Sequence, residues 1–313
     1  SGEALREAEA YGERIDPRAR QVTNSAGWGV IIDPGFAWAN GFQMPPRDEL
    51  VVYQLHAGTF PDKPVDRDRE LEEIIKDLPY PAMQAYDIGR LKPGSKYGAR
   101  YPEQVPHDGE RIPKLADVIY LVNRAGGSER LWIELKTNFL DRSQTSSPQA
   151  TAEAVIRVLK REKFIDRAVL VGFDWPALIA AKKLAPKIEC WFTTLPQTWF
   201  GDAAPPKEHW PPPKDELEKL RALERNGAPW TGGFDTPKYG SVMKAAKAGG
   251  ADGWFPYFAD LNEQTVAECR ELGLKVAGWT VDGEADLKRL VSLKVDGICT
   301  DYPDRLARIL KGM

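Results

Sequence analysis

From residue 131 onward, the chain alternates short apolar runs with longer amphipathic segments. The runs are rich in β-branched and aromatic residues, which is typical of strands, and they lie at Leu131 to Leu135, Ala168 to Phe173, Cys190 to Thr194, Gly253 to Phe258, Lys275 to Val281 and Gly297 to Thr300. Helical patterns between them lie at Thr151 to Lys163, Trp175 to Leu184, Ser241 to Ala248, Asn262 to Leu272 and Glu284 to Leu293. This alternation predicts parallel βα units in an α/β fold. About six such units leave two strands missing from a closed (β/α)8 TIM barrel, which has eight.

The composition is that of one globular unit. The chain has 313 residues, of which 42% are hydrophobic, and a barrel of roughly 250 residues folds as a single domain. A net charge of -3 gives no basic surface for nucleic acid or an anionic membrane, and no apolar run approaches the roughly 20 residues of a membrane span. The charged, helical start after Ser1 and Gly2 does not match a signal peptide. We therefore expect a soluble protein with a small-molecule substrate, whose oligomeric state the sequence leaves open.

The cysteines give no sign of a metal centre or a disulfide framework. Cys190, Cys269 and Cys299 lack metal-site spacing and cannot all pair. We expect them to be buried thiols.

Five motifs follow one another over the last three quarters of the chain. They are Tyr86 to Gly94 (YDIGRLKPG), Asp108 to Leu115 (DGERIPKL), Ile133 to Lys136 (IELK), Gly278 to Val281 (GWTV) and Gly297 to Pro303 (GICTDYP). Each is weak alone, but five in this order are hard to obtain by chance. From about Ile75 to the C-terminus, the chain resembles the glycerophosphodiester phosphodiesterases.

That resemblance implies a (β/α)8 barrel that uses a divalent metal, Ca or Mg, two histidines and a cluster of carboxylates. It implies that Glu134 is a metal ligand, with Lys136 beside it. The family's His-Arg motif, its Glu-x-Asp pair and its His-Asp motif do not carry over to the expected places in this chain. The resemblance therefore implies a metal-dependent phosphodiesterase whose activity is impaired.

The first part of the chain resembles a different family. The matching segments are Tyr11 to Pro17 (YGERIDP), Gln21 to Ser25 (QVTNS), Phe42 to Pro46 (FQMPP) and Glu49 to Phe60 (ELVVYQLHAGTF). Over residues 5–62 they are similar to the glycogen-branching and trehalohydrolase members of the α-amylase family. We interpret the chain as a chimera: residues 1–62 contribute the first strands, residues 75–313 form the phosphodiesterase-like remainder, and the whole of 1–313 is a single barrel domain. An open edge of buried parallel strands would otherwise expose unpaired backbone groups.

Glu134 is the residue on which motif, position and chemistry agree. By the two-residue period of a strand, it shares a face with Trp132 and Lys136, and this face is the barrel interior. Carboxylates at the carboxyl ends of barrel strands are where such enzymes place their chemistry. The alternative is a structural ion pair between Glu134 and Lys136.

Two histidines and four residues in or directly after predicted strands are weaker candidates. His56 is the one histidine on a predicted strand and could act as general acid or base, although a packed histidine is the alternative. His209 lies in a proline-rich run that predicts a surface loop. The candidates for substrate binding are Asp174, Trp175, Trp254 and Trp279.

Two classes of enzyme and one inactive alternative remain open at this point. In the first, the protein is a metal-dependent phosphodiesterase. In the second, it is a glycoside hydrolase that uses Glu134 and Asp174 as paired carboxylates, about 5 to 9 Å apart. The third is a recombinant fold without catalytic activity, because one barrel can host many chemistries or none.

Overall fold

The computed structural model describes residues 79–85, 87–90, 105–126, 128–201, 203–209 and 211–312. Within them, six parallel strands form one sheet in sequential order. The strands are β1 (Leu131–Glu134), β2 (Ala168–Gly172), β3 (Glu189–Thr193), β4 (Gly253–Phe255), β5 (Lys275–Gly278) and β6 (Gly297–Ile298). The predicted parallel βα alternation is therefore confirmed.

Helices connect the strands. Those of the described residues are α1 (Tyr80–Met83), α2 (Leu115–Arg124), α3 (Pro148–Arg161), α4 (Trp175–Leu184), α5 (Lys214–Arg225), α6 (Thr236–Tyr239), α7 (Val242–Ala248), α8 (Glu263–Glu271), α9 (Glu284–Ser292) and α10 (Pro303–Lys311). Short polar side chains fix several of the starts. Ser147 accepts a hydrogen bond from the backbone N–H of Ala150 at the start of α3, and Asn262 forms a capping box with Thr265 at the start of α8.

The sheet separates two apolar layers because successive side chains point to opposite faces. The layer towards the helices is the larger and contains, for example, Leu170, Phe192 and Val276. The inner layer on the other face consists of Trp132, Val169, Val171, Trp191, Phe255, Ala277 and Cys299, with Trp279 packed against it. This division matches the interior and exterior of a barrel wall.

One glycine makes room for the inner layer. Gly253 of β4 pairs in register with Trp191 of β3, and a Cβ atom added to Gly253 would lie 2.3 Å from the Trp191 ring. The absence of a side chain therefore allows the indole to lie across the neighbouring strand. Trp191 also contacts Trp132, with ring centroids 4.7 Å apart.

Charged groups meet at the amino end of the sheet. Glu189 forms ion pairs with Arg130 and with Lys275, whose Nζ is 3.0 Å away, and it accepts a hydrogen bond from Trp191 Nε1 at 2.8 Å. Burial is the largest single effect on Glu189 and by itself would raise its pKa, but the three hydrogen bonds together lower it. This cluster connects the amino ends of β3 and β5, opposite to the carboxyl end of β1, where Glu134 and Lys136 lie.

A long connection joins β3 to α7. We call residues 195–241 the cap segment; the structure describes it apart from 202 and 210. Its small apolar cluster contains Trp230, Leu220 and Ala228 and packs against Phe139 and Leu140, which follow β1. The cap segment therefore lies against the loop at the carboxyl end of the first strand.

Two structural predictions made from the sequence have different outcomes. The expected burial of Cys190, Cys269 and Cys299 as free thiols is confirmed. The first strands expected from residues 1–62 lie outside the described residues, so closure of the barrel by that segment stays a prediction. No helix of the described ranges is long and apolar enough to cross a membrane.

Candidate active site at the carboxyl ends of the strands

Glu134 lies on the inner face of β1. Its neighbours Ile133 and Leu135 pack in the helix-facing layer, whereas Trp132 belongs to the inner layer. Glu134 is also close enough to Cys299, which directly follows β6, that its charge helps to raise the pKa of that buried thiol, after the larger effects of burial, Asp301 and Asp282. The period-two argument therefore places this carboxylate correctly.

Lys136 pairs with Glu134. The Lys136 Nζ lies 2.7 Å from Glu134 Oε1, and the two side chains are 32% and 6% exposed respectively. The carboxylate is thus enclosed while the ammonium group still reaches solvent. An anion that arrives from solvent meets the lysine first.

A buried donor precedes this pair on the same face of β1. Trp132 is 3% exposed, and its Nε1 has no hydrogen-bond partner among the residues that the structure describes. A buried N–H group left in this way costs free energy and fits an acceptor such as a water or an anion oxygen. The inner face of β1 therefore offers two positive or donating groups and one carboxylate.

Aromatic rings form the next layer above the inner core. Tyr257 and Trp279 extend β4 and β5 by an isolated parallel bridge, so both side chains follow Phe255 and Ala277 on the inner face. Their ring centroids are 5.4 Å apart. Phe173, which follows β2, contacts Trp279 at 5.3 Å. These rings from β2, β4 and β5 line the mouth of the sheet.

The other two tryptophans from the sequence prediction lie on the opposite side of the sheet. Trp175 and Trp254 are each 1% exposed and pack in the helix-facing core. The Trp175 indole N–H donates to the carbonyl of Thr193, and that of Trp254 donates to Thr194 Oγ1. The structure therefore brings Trp279 to the mouth but leaves these two in the core.

The surroundings of Asp174 are those of a residue that stabilises the fold. Its side chain is fully buried and forms an ion pair with Arg142. Arg142 Nη2 donates to Asp174 Oδ1 at 2.9 Å, and Thr137 Oγ1 donates to Oδ2 at 2.5 Å. These contacts join the loop after β1 to the start of α4. They also occupy both carboxylate oxygens.

Two further carboxylates, Asp282 and Asp301, contact each other in the segments that follow β5 and β6. Asp282 Oδ1 accepts hydrogen bonds from the backbone N–H of Asp301 and from Thr300 Oγ1, and the two aspartate side chains are themselves hydrogen bonded. Burial raises the pKa of Asp282. Burial beside a second carboxylate therefore favours the protonated form of Asp282.

Comparison with known proteins identifies the family. The model of the glycerophosphoryl diester phosphodiesterase family matches residues 59–305. The chain belongs to this family. The match begins upstream of the predicted boundary at about residue 75.

Individual relatives support this family assignment. A glycerophosphodiester phosphodiesterase of Caldanaerobacter subterraneus subsp. tengcongensis is 24% identical over 87% of this chain and 86% of its own length. One from Bacillus subtilis is 25% identical over 72% of this chain and 64% of its own length. A crystal structure from Silicibacter pomeroyi DSS-3, described as a glycerophosphoryl diester phosphodiesterase, superposes with a TM-score of 0.58 at 27% identity, over 76% of this chain and 69% of that chain.

The comparisons give no support to an α-amylase-like segment or to a chimera. The Caldanaerobacter match covers 87% of the chain, so it has to include part of the first 62 residues. Family membership supports a phosphodiesterase hydrolase with a TIM-barrel-like fold.

Enzymes of the glycerophosphoryl diester phosphodiesterase family are generally metal-dependent, and the described residues do not by themselves make a metal site. No group of three or more His, Cys, Asp or Glu side chains within the described ranges could hold a metal ion. Glu134 Oε1 is occupied by the Lys136 ammonium group, and the atom of β1 that has no hydrogen-bond partner among the described residues is a donor, Trp132 Nε1. A divalent ion bound at Glu134 would therefore need ligands from residues outside the described ranges.

The histidines are in three different places. His56 lies outside the described residues. His107 lies before α2, where its backbone N–H donates to the carbonyl of Gly89. His209 is in the cap segment, where its ring contacts Tyr257 with centroids 5.2 Å apart. The prediction of a surface loop for His209 missed this contact, because the fold of a 47-residue connection is not visible in its composition.

Proposed function

We propose that this protein hydrolyses glycerophosphodiesters at the carboxyl ends of its strands, with Glu134 and Lys136 at the centre of the site. The observation that carries this proposal is the ion pair of these two residues on the inner face of β1. The pair belongs to a chain whose family acts on glycerophosphoryl diesters. A phosphodiester is an anion, and Lys136 is the partly exposed cation of the pair.

The role of Lys136 is to offset the charge of the phosphoryl group. The role of Glu134 is to hold that ammonium group in place before the substrate arrives, and to supply one carboxylate ligand if its oxygen is released to a divalent ion, Ca or Mg. His56 is our candidate for the base that accepts a proton from the attacking water. Trp279, with Phe173 and Tyr257, walls the side of the mouth that faces the rest of the substrate.

We expect the activity to be impaired. General acid and base catalysis contributes about 10² to 10⁴ in rate, and the family's Glu-x-Asp pair and its strand-borne histidine motifs do not carry over. Turnover should therefore be at least about a hundredfold below that of an intact relative. A rate equal to that of the Caldanaerobacter enzyme, measured in the same assay, would contradict this part of the proposal.

The test is product release from glycerophosphocholine. Glycerol 3-phosphate and choline should both accumulate, and the rate should fall with Lys136→Met, which keeps the length of the side chain but removes its charge. Aryl glycosides serve as the comparison substrates. Their cleavage would favour the glycoside hydrolase alternative, while turnover of neither substrate would favour an inactive fold.

The glycoside hydrolase alternative has little support from the geometry. It needs a free carboxylate at Asp174, and that side chain is fully buried against Arg142 and Thr137. Glu134 would then need a different carboxylate as its partner at the distance that the reaction requires. We therefore keep the phosphodiesterase as the single proposal.

A further inference from the structure

The cap segment holds His209 over the mouth of the site. The His209 ring lies against Tyr257, which contacts Trp279, which in turn packs on the inner layer of the sheet. Tyr257 and Trp279 are inner-face residues one layer beyond the strand ends of β4 and β5. Because Glu134 ends β1 in the same parallel sheet, His209 and Glu134 belong to the same end of the fold.

Several hydrogen bonds fix the position of this histidine. Its Nδ1 shares a hydrogen bond with Thr198 Oγ1 at 2.9 Å, and its carbonyl accepts from Trp199 Nε1 at 3.1 Å. The Tyr257 hydroxyl donates to the carbonyl of the preceding residue, Glu208, at 3.2 Å. The second ring nitrogen, Nε2, takes part in no hydrogen bond among the described residues. This arrangement orients the ring and leaves one nitrogen for a ligand.

Asp260 anchors the start of the cap segment on the same side. Both oxygens of its carboxylate accept from the backbone N–H of Gln197, at 3.3 and 3.1 Å. Thr198 and Trp199, which hold His209, follow this anchor directly in the chain. The position of His209 is therefore tied to the loop after β4 through two independent contacts, Asp260 with Gln197 and Tyr257 with Glu208.

We propose that His209 is a catalytic residue, the general acid that protonates the departing alcohol. This inference rests on the proposed function. When water attacks phosphorus, a new P–O bond forms and the bond to the choline oxygen breaks, with its electron pair left on that oxygen. Protonated His209 gives the Nε2 proton to this oxygen, so the alcohol departs neutral. The water proton goes to the base proposed above, and the imidazole takes up a new proton from solvent.

The chemistry explains why a histidine is suited to this position. An aliphatic alkoxide is a poor leaving group in water, so its departure needs a proton donor that is itself protonated in a large fraction near neutral pH. Histidine is the side chain that most often transfers a proton to or from a reacting group in enzymes. The other described histidine, His107, lies before the first strand of the sheet. His209 is the one that the fold brings to the mouth within the described ranges.

The test compares two substrates with the same glycerophosphoryl unit. Glycerophosphocholine loses an aliphatic alcohol and needs an acid, whereas the p-nitrophenyl ester of glycerol 3-phosphate loses a stabilised phenolate and does not. For His209→Gln, we expect kcat for glycerophosphocholine to fall about 10² fold or more, with kcat for the nitrophenyl ester nearly unchanged. His107→Gln is the matched control, which we expect to leave both rates as they are.

Other results would overturn the inference. An equal loss on both substrates means that His209 only packs against Tyr257, and no loss on either means that it has no part in the reaction. Hydrolysis of neither ester by the unaltered protein contradicts the proposed function itself, and the acid role with it. If His209→Gln melts at a lower temperature, His209→Ala with added imidazole replaces it: rescue of glycerophosphocholine hydrolysis supports the acid role, and absence of rescue contradicts it.

Discussion

The Lys136 ammonium group is 2.7 Å from the carboxylate of Glu134, two residues earlier on the same strand. Residues two apart share one face of a strand, so the pair forms within β1 and its immediate extension without help from another element. The carboxylate is the enclosed partner and the lysine the accessible one. A site of this form is electrically neutral until an anion arrives.

Glu134→Gln should abolish hydrolysis and leave the protein folded. The amide keeps the shape of the side chain, but it loses the charge that positions Lys136 and that a divalent ion needs. If the pair is only structural, removal of one partner of a buried pair should instead cost roughly 3 to 5 kcal/mol. Activity and thermal melting of the variant decide the matter, with Glu153→Gln on the exposed face of α3 as the control. A large drop in melting temperature with activity retained would contradict the catalytic role.

Asp174→Asn should affect stability and not chemistry. The change weakens the hydrogen bonds from Arg142 and Thr137 to a buried carboxylate, and hydrogen bonds to charged groups contribute roughly 1.5 to 3 kcal/mol each. We expect a lower free energy of unfolding in urea and an unchanged kcat per folded molecule. A selective loss of kcat with the same stability would show that Asp174 reaches the substrate.

Removal of divalent metal should stop the reaction. Glu134 is a carboxylate of the kind that Ca and Mg bind, and the family generally depends on such an ion. We expect EDTA to abolish release of choline, and Mg or Ca in excess to restore it. Full activity in EDTA would indicate that the Glu134 and Lys136 pair works without a metal.

Asp260 should make the stability of the protein depend on pH. Burial raises its pKa to about 6, above the value near 3.9 of an unfolded aspartate. Between these values the folded state binds the proton more strongly than the unfolded state does, so this group's contribution to stability falls as pH rises from about 4 to 6. Urea unfolding of the unaltered protein and of Asp260→Asn across this range measures the effect as a difference. Parallel curves for the two proteins would contradict it.

Gly253→Ala should destabilise the inner layer. A Cβ atom there would overlap the Trp191 ring, and extra volume in a packed core costs typically 1 to 3 kcal/mol. Gly250→Ala is unsuitable as a control because that residue has a positive φ. Gly201→Ala, where a Cβ atom meets nothing within 4 Å, is the better comparison. Equal unfolding free energies for the two variants would show that Trp191 can move aside.

The sequence predicts the sheet well because its pattern is local. The α4 boundaries agree with prediction at both ends, Trp175 and Leu184, and the strands differ mainly at their carboxyl ends. β4 stops at Phe255 because Pro256 has no N–H to give to the ladder, although Tyr257 resumes pairing with Trp279. A hydrophobic run does not show where such an interruption lies.

The site is less predictable because it depends on contacts between distant residues. Alternation gives the inner face of Glu134 correctly, but two adjacent candidates follow different rules. Asp174 and Trp175 follow the end of β2 and lie in the loop and helix start, so the period of two no longer applies to them. The contact of His209 with Tyr257 joins residues 48 apart, through a cap segment whose path the sequence does not reveal.

The tilted pair of Trp132 and Trp191 gives the interior of the sheet a spectroscopic signature. The two indole rings have centroids 4.7 Å apart and planes inclined by 57°. Their electronic transitions should therefore couple and produce an exciton couplet in circular dichroism. Trp132 lies in β1 and Trp191 in β3, so the couplet requires that both strands remain in the same folded sheet. It therefore offers an optical report on the inner layer alone, separate from the helical signal, during unfolding or when a ligand enters the mouth.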